Sequence, residues 1–177
     1  ELAAKRLKRV SLELGGKNGI VVLADADLDL ATDGILWSAF GTTGQRCTAC
    51  SRVIVEESVV EPLLERLEAR ARALRLGSGL EPTTDVGPLV NAGAVDKVAS
   101  YVEAGRREGE LVCGGERATG PGLEHGHFFE PTIFRGVRPM DRIAQEEIFG
   151  PVLAVIPVPD YPAAVTALNQ TRYGLSS

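Results

Sequence analysis

One cysteine, Cys47, lies where its thiol could act as a nucleophile. It falls within Phe40–Arg52, a stretch between a helix-like run and a strand-like run, so we expect a loop. Gly41 and Gly44 give this loop access to backbone conformations that a side chain would forbid. Arg46 directly precedes the cysteine, and a thiol beside a cation in a polar loop is where a reactive thiolate is expected. The alternative, an inert structural cysteine, is typical of apolar surroundings.

A second cysteine, Cys50, completes a C-x-x-C pattern with Cys47. Such a pattern also occurs in redox-active dithiols and as half of a zinc site. Zinc needs about four ligands, and Cys113, His125 and His127 supply no matching second pair. Redox dithiols usually follow a strand and open a helix, whereas this pattern follows a helical run and leads into a strand. The dithiol interpretation stays open, and no metal site is expected.

Glu13 precedes a glycine pair, Gly15 and Gly16. The apolar alternation over Val10–Leu14 predicts a strand that ends at this pair. Glu13 would then project from a strand end that a flat ligand or a second backbone can approach closely. The Gly-Gly-Lys sequence is not a phosphate-binding loop, because the earlier glycine is absent and Asn18 stands where Ser or Thr is required. The alternative for Glu13 is a solvated strand residue without a chemical role.

A second acidic stretch covers Gln145–Pro151 and contains Glu146, Glu147 and Phe149. It ends in a Gly-Pro turn just before an apolar run, so its side chains are predicted to project from a loop at the sheet edge. The stretch is therefore a candidate functional site. An ordinary acidic turn is the alternative.

The composition limits the possible classes of protein. The chain has 177 residues, a formal net charge of −5 and 44% hydrophobic residues, which is typical of a soluble α/β domain. The acidic excess argues against nucleic acid or an anionic membrane as the partner. No apolar run approaches the roughly 18 residues of a membrane span, and no signal peptide is recognised. Three cysteines favour a reducing compartment, such as the cytoplasm, over a disulfide scaffold.

Apolar periodicity predicts strands that alternate with helices along the whole chain. Strands are predicted at 20–23, 53–55, 111–113, 128–134 and 152–158, with helical patterns between most of them. Pro157 predicts that the far end of the last strand lies at an edge. The predicted fold class is α/β, one domain with a mostly parallel sheet covered by helices.

Three motifs, taken in order, resemble the signature motifs of NAD(P)-dependent aldehyde dehydrogenases: Glu13–Lys17, Gly44–Cys47 and Glu147–Pro151. Weaker matches extend the resemblance over essentially all 177 residues. It implies that Cys47 is the nucleophile that attacks an aldehyde and Glu13 is the general base that activates water for thioester hydrolysis.

The same resemblance implies how the chain meets its cofactor, NAD or NADP. Glu147 would accept a hydrogen bond from the nicotinamide ribose, and Phe149 would pack nearby. Leu14 and Gly15 would also contact the cofactor, and Gly15 and Gly16 would let the nicotinamide ring pass close to the backbone. The resemblance also implies a small-molecule aldehyde substrate and a parent enzyme that is a homodimer or homotetramer.

In the family, a cofactor-binding domain and an asparagine that stabilises the oxyanion precede the Glu13 motif, and an oligomerisation strand follows Tyr173-Gly174-Leu175. We expect all three to be missing from this sequence, and no G-x-G-x-x-G occurs in it. We therefore expect residues 1–177 to be an aldehyde dehydrogenase catalytic domain truncated at both ends and inactive by itself. The motif around the nucleophile, with Arg46 directly before Cys47, resembles that of dehydrogenases that act on succinate or 2-oxoglutarate semialdehyde.

Two other functions remain open at this stage. A thiol–disulfide protein would form a reversible bond between Cys47 and Cys50. A non-catalytic module of the same fold would leave Cys47 no more reactive than Cys113.

Overall fold

The computed structural model describes residues 1–177. Its strands are β1 (Asn18–Val22), β2 (Cys50–Glu56), β3 (Glu110–Cys113), β4 (Thr132–Arg135) and β5 (Val152–Val158). Its α-helices are α1 (Leu28–Phe40), α2 (Val60–Arg72), α3 (Ala92–Glu108), α4 (Arg142–Gln145) and α5 (Tyr161–Asn169). Ala4–Arg6 and Glu57–Val59 form short 3-10 turns. None of the helices combines the length and apolar character that crossing a membrane requires.

The strands form one sheet in the order β1-β2-β5-β4-β3. Three of the four strand pairs are parallel, and only β3 runs antiparallel to its neighbour β4. Parallel neighbours need a crossover connection, and helices supply it here. The predicted α/β class, with a mostly parallel sheet, is confirmed.

Alternating side chains of the central strands build a hydrophobic core on each face of the sheet. Val53 and Val55 pack with buried residues of α1 and α2. Ile54 between them points to the opposite face and packs with buried residues of α3 and α5. This two-sided burial follows from the period of two in a strand. It makes the strands near-continuous apolar runs, as expected for a parallel sheet.

The prediction for Pro157 is wrong, because β5 lies in the middle of the sheet. Pro157 pairs in register with Val55 of β2. On the other side, β4 pairs with β5 only as far as Ala154. The proline therefore lies beyond the end of the β4 ladder, where its missing N–H breaks no pairing to that strand.

The strand predicted at Val10–Leu14 is also wrong. Residues 8–17 have no regular secondary structure, and no strand pairs with them. Val10, Leu12 and Leu14 are 61%, 71% and 58% exposed. Apolar alternation stabilises a strand only when a neighbour pairs with it and one face is buried. Glu13 therefore lies in an exposed, irregular segment.

Candidate active site

The topology of the sheet brings the three sequence motifs together. Glu13–Lys17, Gly44–Cys47 and Glu147–Pro151 each lie shortly before a strand, namely β1, β2 and β5. These three strands are neighbours and run parallel, so their amino ends lie along one edge of the sheet. We call the place where the three motifs meet the motif junction.

The glycine pair is the centre of the motif junction. The Gly16 N–H donates a hydrogen bond of 2.9 Å to Oε1 of Glu147. A Cβ atom at Gly15 would lie 2.6 Å from Oε2 of Glu147, and one at Gly16 would lie 2.5 Å from the Cys47 carbonyl oxygen. Both distances are too short for a real side chain. Only glycines allow the three motifs to approach this closely.

Asn18 fixes the backbone of the Cys47 loop. Its Nδ2 donates to the carbonyl oxygens of Cys47 at 2.7 Å and of Ala49 at 3.0 Å. Asn18 is 5% exposed, so water competes little for these bonds. Sequence analysis did not assign this role. The available signal was an amide residue at the start of an otherwise apolar buried strand.

The backbone is strained on both sides of the motif junction. Thr43 has φ 58° and Phe149 has φ 60°, although side chains rarely adopt this region. Gly44 has φ 67°, and a Cβ there would overlap the Gly150 carbonyl. Strained residues persist only where the surrounding structure holds them, and they cluster at functional sites.

Cys47 and Arg46 are adjacent in sequence but have different surroundings. Cys47 is exposed and is not in a disulfide. The Arg46 guanidinium lies over the ring of Trp37, 4.4 Å from the centroid. The arginine side chain is therefore held against α1 by a cation–π contact. Trp37, which is 67% exposed, was not identified from the sequence.

The other two cysteines are buried. Burial raises the pKa of the Cys50 thiol to about 12, and its S–H donates to the Arg52 carbonyl at 3.3 Å. Burial likewise raises the pKa of Cys113 to about 11. Cys47 is thus the one exposed thiol of the chain. No group of three or more His, Cys, Asp or Glu side chains is placed to hold a metal ion.

The adjacent acids Glu146 and Glu147 point to different partners. Oε2 of Glu146 accepts hydrogen bonds from the Tyr101 hydroxyl at 2.8 Å and from Arg142 Nε at 3.0 Å. The Tyr101 hydrogen bond, then that of Arg142, lowers the pKa of Glu146. Glu146 therefore joins α3 to α4, whereas Glu147 faces the glycine pair. The bonds of Glu146 fit a structural turn, and the cofactor role of Glu147 stays a prediction.

A buried arginine ties the motif junction to α5. Arg52 is 1% exposed, and its Nε and Nη2 donate to the Lys17 carbonyl at 3.0 and 2.6 Å. The same guanidinium donates to the carbonyls of Ala167 and Leu168 at 3.2 and 3.1 Å. Sequence analysis missed this residue, although a charged side chain within an apolar strand was the available signal.

The remaining predicted site residues lie at the open side of the motif junction. Leu14 is exposed, and Phe149 is 41% exposed. Beside them, Gly15 presents bare backbone next to Glu147. Glu13 is exposed and takes part in no ion pair within the chain. The structure thus brings Gly15, Glu147 and the Cys47 backbone into contact but records no bond between Glu13 and Cys47.

Comparison with known proteins identifies the relationship. A family model described as "Aldehyde dehydrogenase family" matches residues 1–177. The chain belongs to the aldehyde dehydrogenase family. This assignment agrees with the order of the three motifs and with their meeting at one edge of the sheet.

Individual members of the family are similar over nearly the whole chain. The 1-pyrroline-5-carboxylate dehydrogenase of Staphylococcus epidermidis is 46% identical over 170 residues, which is 96% of this chain and 32% of that protein. A Thermus 1-pyrroline-5-carboxylate dehydrogenase structure with bound NAD is 49% identical, with a TM-score of 0.85, and the match covers 91% of this chain and 30% of that one. A betaine aldehyde dehydrogenase from Staphylococcus aureus in complex with NAD+ is 36% identical, with a TM-score of 0.92, over 98% of this chain and 34% of that one. This chain therefore spans about a third of the length of these relatives.

Proposed function

We propose that this chain is the Cys-bearing catalytic domain of an NAD(P)-dependent enzyme that oxidises an aldehyde to the carboxylic acid. The observation that carries the proposal is the motif junction, where the backbone of Cys47, the residue with the exposed thiol, meets the Gly15-Gly16 backbone and Glu147. Membership of the aldehyde dehydrogenase family supports the same chemistry. Because the chain spans about a third of its relatives, we assign the activity to a longer protein. We expect these 177 residues alone to produce no measurable reduced cofactor.

Cys47 acts as the nucleophile in this proposal. Its thiolate attacks the aldehyde carbonyl carbon and forms a tetrahedral thiohemiacetal. The Cys47 backbone N–H makes no hydrogen bond within the chain, so it is free to donate to the oxyanion. Asn18 holds the carbonyl of the same residue, which limits rotation of the loop backbone.

The residues around Gly15 fit a nicotinamide cofactor. The Gly15 backbone lies directly against the Glu147 carboxylate, which occupies the place of a Cβ atom, and Phe149 and Leu14 are exposed apolar residues of the same two motifs. Oε1 of Glu147 is bonded to Gly16, which orients the carboxylate and leaves Oε2 to accept from a ribose hydroxyl. NAD or NADP, when bound, would supply the acceptor for the hydride that leaves the thiohemiacetal carbon. This loss of hydride leaves a thioester on Cys47.

Glu13 completes the cycle as the general base that activates water to hydrolyse the Cys47 thioester. General-base catalysis of this kind typically contributes ~10²–10⁴-fold. The carboxylate lies in an exposed, irregular segment of this chain. We propose that the cofactor-binding part of the longer enzyme orders the segment.

For the substrate we propose an aldehyde that also carries a carboxylate. The Gly-Gln-Arg-Cys motif resembles semialdehyde dehydrogenases, and several relatives are named for 1-pyrroline-5-carboxylate, which opens in water to a semialdehyde. Succinate and 2-oxoglutarate semialdehydes are the first compounds to test. Betaine aldehyde, for which other relatives are named, is the comparison substrate without a carboxylate.

The test replaces the corresponding third of the Staphylococcus epidermidis relative with this chain and follows reduced cofactor. We expect turnover by the hybrid and none by its Cys47→Ala variant. Glu13→Gln should give an initial burst of about one reduced cofactor per site and then stall, because thioester hydrolysis loses its base. Steady turnover by a folded Cys47→Ala hybrid would contradict the proposal.

The two alternatives give different results in the isolated chain. A thiol–disulfide protein would form a Cys47–Cys50 bond under mild oxidation, whereas Cys50 here is buried with its S–H bonded to a carbonyl. A non-catalytic module would show an equally slow reaction of Cys47 and Cys113 with iodoacetamide. Cys47 is exposed while Cys50 and Cys113 are buried, and this difference favours the proposal of an enzyme with Cys47 as its nucleophile.

A further inference from the structure

The Cys47 loop is also bonded to residues 87–90, which lie just before α3. The Gln45 Nε2 donates a hydrogen bond of 3.2 Å to the Pro88 carbonyl, and the Gln45 Oε1 accepts one of 2.9 Å from the Val90 N–H. A side-chain amide can make both bonds because its NH2 group donates and its carbonyl oxygen accepts. Gln45 therefore pairs with two backbone groups that are two residues apart, as a residue of a parallel strand does.

Residues 87–90 are themselves held in the fold. Val86 and Leu89 are buried, and the Leu89 N–H donates to the His127 carbonyl at 2.9 Å. Asn91, directly after the segment, caps α3 because its side chain accepts a hydrogen bond from the first turn of the helix. The segment is therefore a fixed support for the Gln45 amide.

Thr43 is bonded to the same support. Its hydroxyl donates to the Gly87 carbonyl at 3.0 Å, and the residue is 2% exposed. Thr43 is also one of the strained residues beside the motif junction, with φ 58°. Such a backbone conformation persists only where neighbouring contacts hold it, and the bond to Gly87 is one of those contacts. The Cys47 loop thus has two side chains, Thr43 and Gln45, bonded to residues 87–90.

Gln45 lies where two turns of the loop meet. The first turn ends at Gln45, whose N–H donates a hydrogen bond of 2.9 Å that closes it. The second turn contains Cys47 and is closed by a bond of 3.1 Å from the Ala49 N–H to the Arg46 carbonyl. Asn18 holds the end of this second turn through the carbonyls of Cys47 and Ala49. Gln45 holds its beginning.

We propose that Gln45 is a positioning residue, which orients the Cys47 turn for attack on the aldehyde by tying the beginning of that turn to residues 87–90. This role rests on the proposed function of Cys47 as the nucleophile. Gln45 acts through the backbone that carries the Cys47 thiol and N–H. A misplacement of about 1 Å can slow a reaction about a hundredfold, so the two bonds of one amide are enough to affect the rate.

The first test measures the burst of reduced cofactor from succinate semialdehyde in the hybrid of this chain with the Staphylococcus epidermidis relative. We expect Gln45→Ala to lower the burst rate about ten- to a hundredfold. The KM for the aldehyde should change less than about threefold, because the amide positions the thiol and does not bind the substrate. Ser100→Ala removes a bond of 2.7 Å from a side chain to a backbone carbonyl on α3, and as the control it should leave both values unchanged.

The pH dependence of Gln45→Glu separates positioning from a general loss of structure. At about pH 8 the carboxylate has no proton to donate to the Pro88 carbonyl, so the burst should be slow. The protonated acid can donate to Pro88 and accept from the Val90 N–H, as the amide does. The burst rate of Gln45→Glu, divided by that of the unmodified hybrid at the same pH, should therefore rise several-fold as the pH falls to about 5. The corresponding ratio for Gln45→Ala should stay constant.

A normal burst rate in the Gln45→Ala hybrid overturns the positioning role, as does a Gln45→Glu ratio that does not change with pH. If Gln45→Ala does not fold, the pH profile of Gln45→Glu decides. Absence of turnover in the unmodified hybrid would instead contradict the proposed function. The iodoacetamide rate of Cys47 in the isolated chain then decides for Gln45. It should change at least about threefold in Gln45→Ala and not in Ser100→Ala, and equal rates in both overturn the role.

Discussion

The Cys47 loop and the Glu13 segment both belong to the motif junction, yet this chain holds them very differently. Asn18 donates hydrogen bonds to two carbonyl groups of the Cys47 loop, and Gly44 is packed against the Gly150 carbonyl. Residues 8–17 have no regular structure, and the Glu13 side chain is exposed. The loop connects α1 to β2, which both pack into the core, whereas residues 8–17 pair with no strand. The chain by itself therefore positions the proposed nucleophile but not the proposed base.

The largest expected effect concerns the three thiols. At about pH 8, a thiol with a pKa near 11 or 12 is less than about 1% thiolate, and thiolate is the reactive form. We expect iodoacetamide to label Cys47 more than about a hundredfold faster than Cys50 or Cys113 in the folded chain. Labelling of the two buried thiols should rise only as the pH approaches about 11 to 12. Comparable rates at about pH 8, by mass mapping, would show that the loop does not expose Cys47 selectively.

A substitution at Gly44 should show how firmly the loop is held. Gly44→Ala places a methyl group at positive φ and against the Gly150 carbonyl, so we expect a loss of about 2–4 kcal/mol in the free energy of unfolding. Gly122→Ala is the matched control, because Gly122 also has positive φ but no atom lies within 4 Å of a Cβ there. It should lose only about 1 kcal/mol, the cost of the backbone conformation. If urea titrations show equal losses of unfolding free energy for the two variants, the contact between Gly44 and Gly150 does not cause the loss.

Asn18 should contribute less to the unfolding free energy than Gly44, and its loss should alter the Cys47 loop in particular. Asn18→Ala removes both hydrogen bonds to the Cys47 loop and should cost about 1–3 kcal/mol in unfolding free energy. Because the Cys47 backbone loses its anchor, the iodoacetamide rate of Cys47 should change while that of Cys113 does not. Ser51→Ala, which removes a single long bond of 3.4 Å to the Asn18 carbonyl, is the control and should leave both rates unchanged. An unaltered Cys47 rate in a folded Asn18→Ala chain would show that other contacts hold the loop.

The smallest expected effect is at Glu13. Glu13→Gln in the isolated chain should change the unfolding free energy by less than about 0.5 kcal/mol, because an exposed side chain without partners is replaced by one of the same shape. Trypsin should also cleave after Arg9, in the same irregular segment, before it cleaves after Arg46 or Arg52. A loss above about 1 kcal/mol, or early cleavage in the Cys47 loop, would reverse the comparison between the two regions.

Local signals predicted most of the elements because those signals act through neighbours in sequence. Asp27, for example, caps α1, because its Oδ1 accepts hydrogen bonds from the backbone N–H groups of Asp29 and Leu30. The apolar runs at 53–55 and 152–158 predicted β2 and β5, and the structure buries both strands on both faces. The alternating pattern at Val10–Leu14 failed because no partner strand is present there, and the prediction for Pro157 failed because strand order was needed to place the edge.

The amino-acid sequence by itself determined the fold class, the family and the three motifs that carry Glu13, Cys47 and Glu147, because residue types and their spacing are local properties. Only the tertiary structure decided which parts of those motifs touch. Strands β1, β2 and β5 are distant in sequence, and their order in the sheet brings Gly16, Glu147 and the Cys47 carbonyl together. The roles of Asn18 and Arg52 likewise depend on contacts between residues far apart in the chain. Such contacts form when helices and strands pack, so no local pattern specifies them.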